Sequence, residues 1–154
     1  MGLNQGMRAI ALCLFALVSA PSLAEFACVP FQPTEVSLEG TIISRSFPGR
    51  PSFESIAGGD EKLVYWLLKL DKPVCVGTPD SVSEINTAES KVREIQIGPR
   101  EADFYKWHEG AVGRHALIKG TLFHQHTAWH VTKIVVQVND LRLIERGAKY
   151  HVAQ

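Results

Sequence analysis

The sequence is poor in the residues that mark a specific chemistry. It holds three cysteines and two methionines in 154 residues, and its 16 basic residues are matched by 16 acidic ones. Without a basic excess, electrostatic capture of nucleic acid is excluded as the main activity. No Cys-x-x-Cys pair occurs, so the usual zinc spacings are missing. No Gly-x-Ser-x-Gly elbow occurs either, and nothing else points to a nucleophile triad. The longest apolar run is 9–20, well short of the ~20 residues that cross a bilayer as a helix. Internal repeats and low-complexity segments are also missing.

What is present begins with an address. Arg8 is the only charge before the apolar run 9–20, and Pro21-Ser22-Leu23-Ala24 puts small residues at positions −3 and −1 of a cut after Ala24. Residues 1–24 are therefore expected to be a signal peptide, and the mature chain to be periplasmic or secreted. Removing 24 from 154 leaves 130 residues, enough for one domain (25–144) with a short tail (145–154). Loss of Arg8 leaves a net charge of −1, from 15 basic and 16 acidic residues. Cys13 leaves with the signal. Cys28 and Cys75 remain, and an even pair in an exported chain reads as a disulfide. Closing a loop of that length stabilises a fold by about 4 kcal/mol in the chain-entropy model. A lipoprotein anchor fits less well, because Glu25-Phe26-Ala27 precedes Cys28.

The hydrophobic pattern is mainly that of strands. Residues 35–47 alternate, with Val36, Leu38, Gly40 and Ile42 on one face. The stretch 63–70 is apolar on both faces and predicts a strand covered on both sides, and 91–97 predicts a third with a bulge between Val92 and Ile95. Gly98-Pro99 opens a short helix over 100–109, with Phe104 and Trp107 inward. Strands are expected over 115–124 and 130–138. Asn139-Asp140 reads as a turn, leaving 141–144 to prolong the sheet. Strand, strand, strand, helix, strand, strand is the order of an OB-like five-stranded Greek-key barrel. Gly40 and Gly120 suit the coiling a barrel needs. An antiparallel sandwich is the alternative, and the helix between strands 3 and 4 favours the barrel.

The last hairpin suggests a site. A ladder placing Ala116 opposite Val138, Ile118 opposite Val136, Gly120 opposite Ile134 and Leu122 opposite Thr132 puts every apolar residue inward. Continued, it sets His124 opposite His130 at the barrel end, with Cβ atoms about 4.5–5.5 Å apart. His126 lies in the connection between them. Three chemistries fit this trio: an open zinc or copper site, a polar binding or catalytic cluster, and a structural cap. The loop 47–60 is unusually long, and loops beyond about 12–15 residues are often functional. Arg50, Phe53 and Glu54 from it are expected to approach His124, His126, Trp129 and His130. Glu54 fits a fourth metal ligand, a carboxylate orienting a histidine, or a solvated loop residue. Trp66 and Trp107 read as core, and Trp129 as an exposed contact residue.

Phe47-Pro48-Gly49-Arg50-Pro51-Ser52-Phe53-Glu54-Ser55-Ile56, Tyr65-Trp66-Leu67-Leu68, Pro73-Val74-Cys75-Val76 and Gly120-Thr121-Leu122-Phe123-His124-Gln125-His126-Thr127 together resemble the bacterial domain-of-unknown-function family 4431. The resemblance runs from Val36 to Lys133 and implies no particular chemistry. It departs after the turn, where the family carries further histidines and this chain has only His130, between Trp129 and Val131.

The leading functional expectation is a non-enzymatic periplasmic binding module. Its ligand-binding residues are Arg50, Phe53, Glu54, His124, His126, Trp129 and His130, at the end of the barrel. Its partner is a protein, a cell-wall fragment or a small polar ligand, and an inhibitor or immunity protein is one version. The alternative is a metal-binding protein holding zinc or copper with His124, His126, His130 and Glu54. A hydrolase would need Glu54 and His130 within hydrogen-bond reach, about 2.6–3.2 Å.

Overall fold

The computed structural model describes residues 28–146. The expected signal peptide and most of the expected tail therefore lie outside the described residues. Five strands and one short helix follow in the order β1 (Glu35–Pro48), β2 (Lys62–Val76), β3 (Glu89–Gly98), α1 (Phe104–Trp107), β4 (His115–His124) and β5 (Ile134–Leu143). The strands close into a ring, β1-β2-β3-β5-β4. All neighbours are antiparallel except β3 and β5, which run parallel. Among the described residues no helix is long and apolar enough to cross a membrane.

Alternation fills the ring's interior. Leu38 and Ile42, Leu68 and Leu70, Ile95 and Ile97, Ile118 and Leu122, and Ile134 and Val136 all point inward and are buried. Leu68 stands opposite both Ile42 and Ile95, and Ile97 opposite Val136, so each strand presents the same parity to the centre. Gly40 pairs with Leu70 on one side and Ala116 on the other, where β1 passes from one neighbour to the next. A Cβ there would strike the Lys69 carbonyl. At Gly120, beside a bulge in the β4–β5 ladder, a Cβ would strike the Gln137 carbonyl. Both glycines expected to mark bends thus sit where backbones approach too closely for a side chain.

The expected disulfide is present between Cys28 and Cys75, with Cα atoms 4.5 Å apart. The N-terminal segment is also stitched in by hydrogen bonds from Val29 N–H to the Cys75 carbonyl and from Gln32 N–H to the Leu122 carbonyl. Phe31, between them, is fully buried in the core.

Several expectations need correction. β2 continues through Asp71-Lys72-Pro73 to Val76, while the irregularity expected between Val92 and Ile95 is found there, between the Val74–Val92 and Lys69–Glu94 pairs. Val64 in β2 is 55% exposed, so that strand is covered on both faces only further along, at Leu67 and Leu68. The helix spans only Phe104–Trp107. Phe104 is buried as expected, but Trp107 is 63% exposed. The reason is local: His108 stacks on Phe104 with ring centroids 4.4 Å apart and takes the inward position one turn on. Trp66 packs on Tyr105 and Phe104 and, partly buried, against the core.

The last hairpin has the expected parity and a different register. His124 faces Ile134, Leu122 faces Val136 and Gly120 faces Val138. β5 starts at Ile134 rather than His130 and runs through Asn139-Asp140, which is therefore strand and not a turn. A shift of four residues keeps every inward residue inward, so the hydrophobic pattern does not distinguish the two ladders. The consequence is a longer hairpin loop, 125–133, that carries His126, Trp129 and His130 away from the barrel end.

Candidate functional site

The β1–β2 loop, 49–61, is built around one carboxylate. Asp60 is 8% exposed. It accepts hydrogen bonds from the backbone N–H groups of Ser52 (2.9 Å), Glu54 (2.8 Å) and Ser55 (2.8 Å) and from the Ser52 hydroxyl (2.8 Å). The backbone donors Ser52 and Ser55, with the Ser52 hydroxyl and Glu54 N–H behind them, hold its carboxyl far below the usual carboxylate range. Backbone bonds from Gly49 to Glu61 and from Glu61 to Arg50 close the base of the loop. Phe53 sits inside this frame at φ 61°. That region is unfavourable for a bulky side chain by about 1–3 kcal/mol, and the hydrogen bonds to Asp60 on either side hold it there.

The β4–β5 loop is held from β3. Gln96 is 5% exposed. Its amide nitrogen donates to the Trp129 carbonyl (3.1 Å), and its oxygen accepts from Val131 N–H (2.7 Å). Its own backbone N–H donates to the Thr132 hydroxyl (2.8 Å). One buried side chain thus fixes the backbone on both sides of His130.

The two loops meet at Trp129. Phe53 packs edge-on against its ring with centroids 5.3 Å apart. The Arg50 guanidinium carbon lies 5.3 Å from the ring centroid, within cation–π range. Arg45, a few residues earlier, is committed to Glu94 by two 2.8 Å bonds. Among the described residues no carboxylate lies within salt-bridge distance of Arg50.

Beside Trp129 is a cavity of about 250 Å³, lined by Tyr65, Phe123, His130, Val135 and Gln137 among others. Tyr65, Phe123, Val135 and Gln137 have outward parity on their strands, so the cavity is on the outer face of the ring. The expected position at the barrel end is corrected accordingly; the longer hairpin loop folds over the outside of β3 and β5 rather than capping the end. His130 Nδ1 accepts from His126 N–H (3.1 Å), so the neutral ring carries its proton on Nε2. Burial, then the neighbouring His126, push the His130 pKa down and favour that neutral form. Burial, then Glu61, push the Tyr65 phenol up. The cavity therefore offers aromatic faces together with neutral donors and acceptors, and Arg50 lies over the ring of Trp129, one of its lining residues.

The three histidines do not act together. His126 and His130 pack edge to face with ring centroids 4.7 Å apart, and each packs on Phe123. His124 turns to the start of β3, where Nε2 meets Glu89 (3.2 Å) and its backbone N–H donates to Asn86 (3.0 Å). Lys133 also bonds Glu89 (3.0 Å). Lys133 first, then His124, hold the Glu89 carboxyl below its ordinary value. The Glu54 side chain is exposed on the loop, and its contact with Asp60 is through the backbone. Among the described residues no group of three His, Cys, Asp or Glu side chains could hold a metal ion. Of the expected set, then, Trp129 and His130 line the cavity, Arg50 and Phe53 pack on the Trp129 ring, His126 backs His130, and His124 and Glu54 lie apart. Gln96, Tyr65 and Phe123 were not anticipated. A glutamine at an outward strand position normally faces water, and nothing local in the sequence marks this one as buried.

A small closed β-ring with an aromatic, mixed-polarity groove under two loops is the class that fold and site define. Residues 94–142 match the family described as "Domain of unknown function (DUF4431)", which supports the resemblance read from the sequence. The match runs from β3 into β5 and takes in Gln96 and the whole hairpin loop, while the 49–61 loop lies outside it. No curated protein and no solved structure matches the chain.

Proposed function

We propose that this chain is an exported, non-enzymatic binding module, an OB-like Greek-key barrel that holds a small polar ligand from the cell wall in the groove at Trp129. The observation that carries the reading is the fixing of Trp129 from three sides, by Arg50, Phe53 and Gln96, at the rim of a cavity. Rings held this way keep little conformational entropy to lose on binding, which favours contact with a ligand. Support for the OB-like reading comes from the ring order, the parallel β3–β5 pair and the helix between β3 and β4. In OB folds the loops between strands 1 and 2 and between strands 4 and 5 flank the binding surface, and these are the two loops that meet here. The Cys28–Cys75 bond and the N-terminal address fit an oxidising, exported setting.

Co-sedimentation of the mature chain with purified cell-wall sacculi tests the reading. Trp129→Ala is expected to lower binding about tenfold or more, because it removes the ring on which Arg50 and Phe53 pack. Trp107→Ala, on an exposed tryptophan of α1, is expected to leave binding unchanged. No sedimentation of the unaltered chain, or equal loss in both variants, contradicts it.

A further inference from the structure

We infer that the groove selects an acidic amino sugar: a pyranose ring lodges in the cavity beside Trp129, and a carboxylate borne on that sugar pairs with Arg50. This rests on the binding-module reading above and names its ligand class.

Three features of the groove point to a sugar. Its size, about 250 Å³, has room for one hexose ring. Its walls combine the rings of Tyr65, Phe123 and Trp129 with the amide of Gln137, the phenol of Tyr65 and the imidazole of His130. Sugar rings present apolar C–H faces and a rim of hydroxyls, so they need both kinds of surface at once. His130 is a neutral donor, because the His126 N–H occupies Nδ1 and burial disfavours the charged ring. A neutral N–H suits a hydroxyl or an amide oxygen and does not impose a charge inside the cavity.

The acidic group follows from Arg50. It is exposed, its guanidinium lies on the indole, and no carboxylate among the described residues is within salt-bridge distance. Arg45, in the same strand–loop segment, is by contrast paired with Glu94. A guanidinium over an aromatic ring still has N–H groups to donate, and a guanidinium matches a carboxylate with two parallel hydrogen bonds. The Asp60 frame fixes the loop that carries Arg50, so the cation is positioned before the ligand arrives.

The test compares two disaccharides that differ in this one group, N-acetylglucosaminyl-N-acetylmuramic acid and di-N-acetylchitobiose, titrated into the mature chain by calorimetry. The acidic sugar is expected to bind about tenfold more tightly, the range of one charge-assisted hydrogen-bonded pair. Arg50→Gln is expected to weaken the acidic sugar more than chitobiose, so that the preference disappears, and Trp129→Ala to weaken both sugars. Equal affinity for the two sugars, or a preference that survives Arg50→Gln, overturns the acidic-ligand inference. If neither sugar binds, the inference falls too. Sedimentation with sacculi in the same preparation then separates the two ideas: groove-dependent sedimentation retains the binding module, and its absence removes both.

Discussion

Replacing Gln96 with leucine keeps nearly the same volume at a buried position and removes both hydrogen bonds that tie the β4–β5 loop to β3. The Trp129 carbonyl and the Val131 N–H then have to find water or remain unpaired. Two net hydrogen bonds at ~1 kcal/mol each give a loss of about 2 kcal/mol if water reaches the loop. If the loop stays closed over the leucine, each buried unsatisfied group costs about 1–3 kcal/mol, so the loop is expected to open rather than bear that penalty. The loss should therefore be local first. Hydrogen exchange at the Val131 amide is expected to accelerate by about thirtyfold, the factor that 2 kcal/mol corresponds to, while amides of buried core strands such as Ile118 accelerate much less. Urea unfolding should show a smaller fall in midpoint with an unchanged slope. Trp129 fluorescence should redshift as Phe53 and Arg50 lose their partner. Unchanged exchange at Val131 would refute the claim that Gln96 holds the loop. A uniform acceleration across all strands would instead mean that the side chain supports the core.

Other perturbations follow from the same physics. Replacing Cys28 and Cys75 together with serine is expected to cost about 4 kcal/mol, read as a lower urea midpoint than the oxidised chain. Gly40→Ala drives a Cβ into the Lys69 carbonyl and should destabilise by about 1–3 kcal/mol or more, whereas Gly59→Ala, with open space around its Cβ but a φ of 105°, should carry only the smaller backbone penalty. Asp60→Asn tests a pH dependence whose sign is fixed. Because the folded carboxyl titrates below its unfolded value of about 4, its contribution is complete above that value and is lost as the pH falls through the folded one. The unaltered chain should therefore lose stability below about pH 4 more steeply than the asparagine variant, in acid titrations followed by circular dichroism.

The legible part of the fold was the part governed by alternation. Leu38 and Ile42, Ile95 and Ile97, and Ile118 and Leu122 announced their strands because one face had to be buried. The β4 boundaries, His115–His124, emerged as expected because Gly113 and the polar loop after His124 bracket a clean alternating run. Register was beyond reach for a stated reason: even shifts preserve the buried face, so His124 opposite His130 and His124 opposite Ile134 look alike in sequence. That single ambiguity moved Trp129 and His130 from the end of the ring to its outer face. Trp107 misled because a one-turn helix does not sustain a helical face, and His108 took the place on Phe104. The approach of Arg50 and Phe53 to Trp129 was anticipated from loop order alone. Glu54 failed to join them because its backbone, not its side chain, is what the Asp60 frame uses.

The claim that most needs testing is that ligand binds on the outer face at Trp129. Amide and indole chemical shifts of the mature chain, titrated with the acidic disaccharide, test it directly. The largest changes are expected at the Trp129 indole N–H, the Gln96 side-chain amide, His130 and Arg50. Changes centred instead on Arg100, His108 and Asp140, which line a separate cavity of about 260 Å³ beside α1, would contradict it.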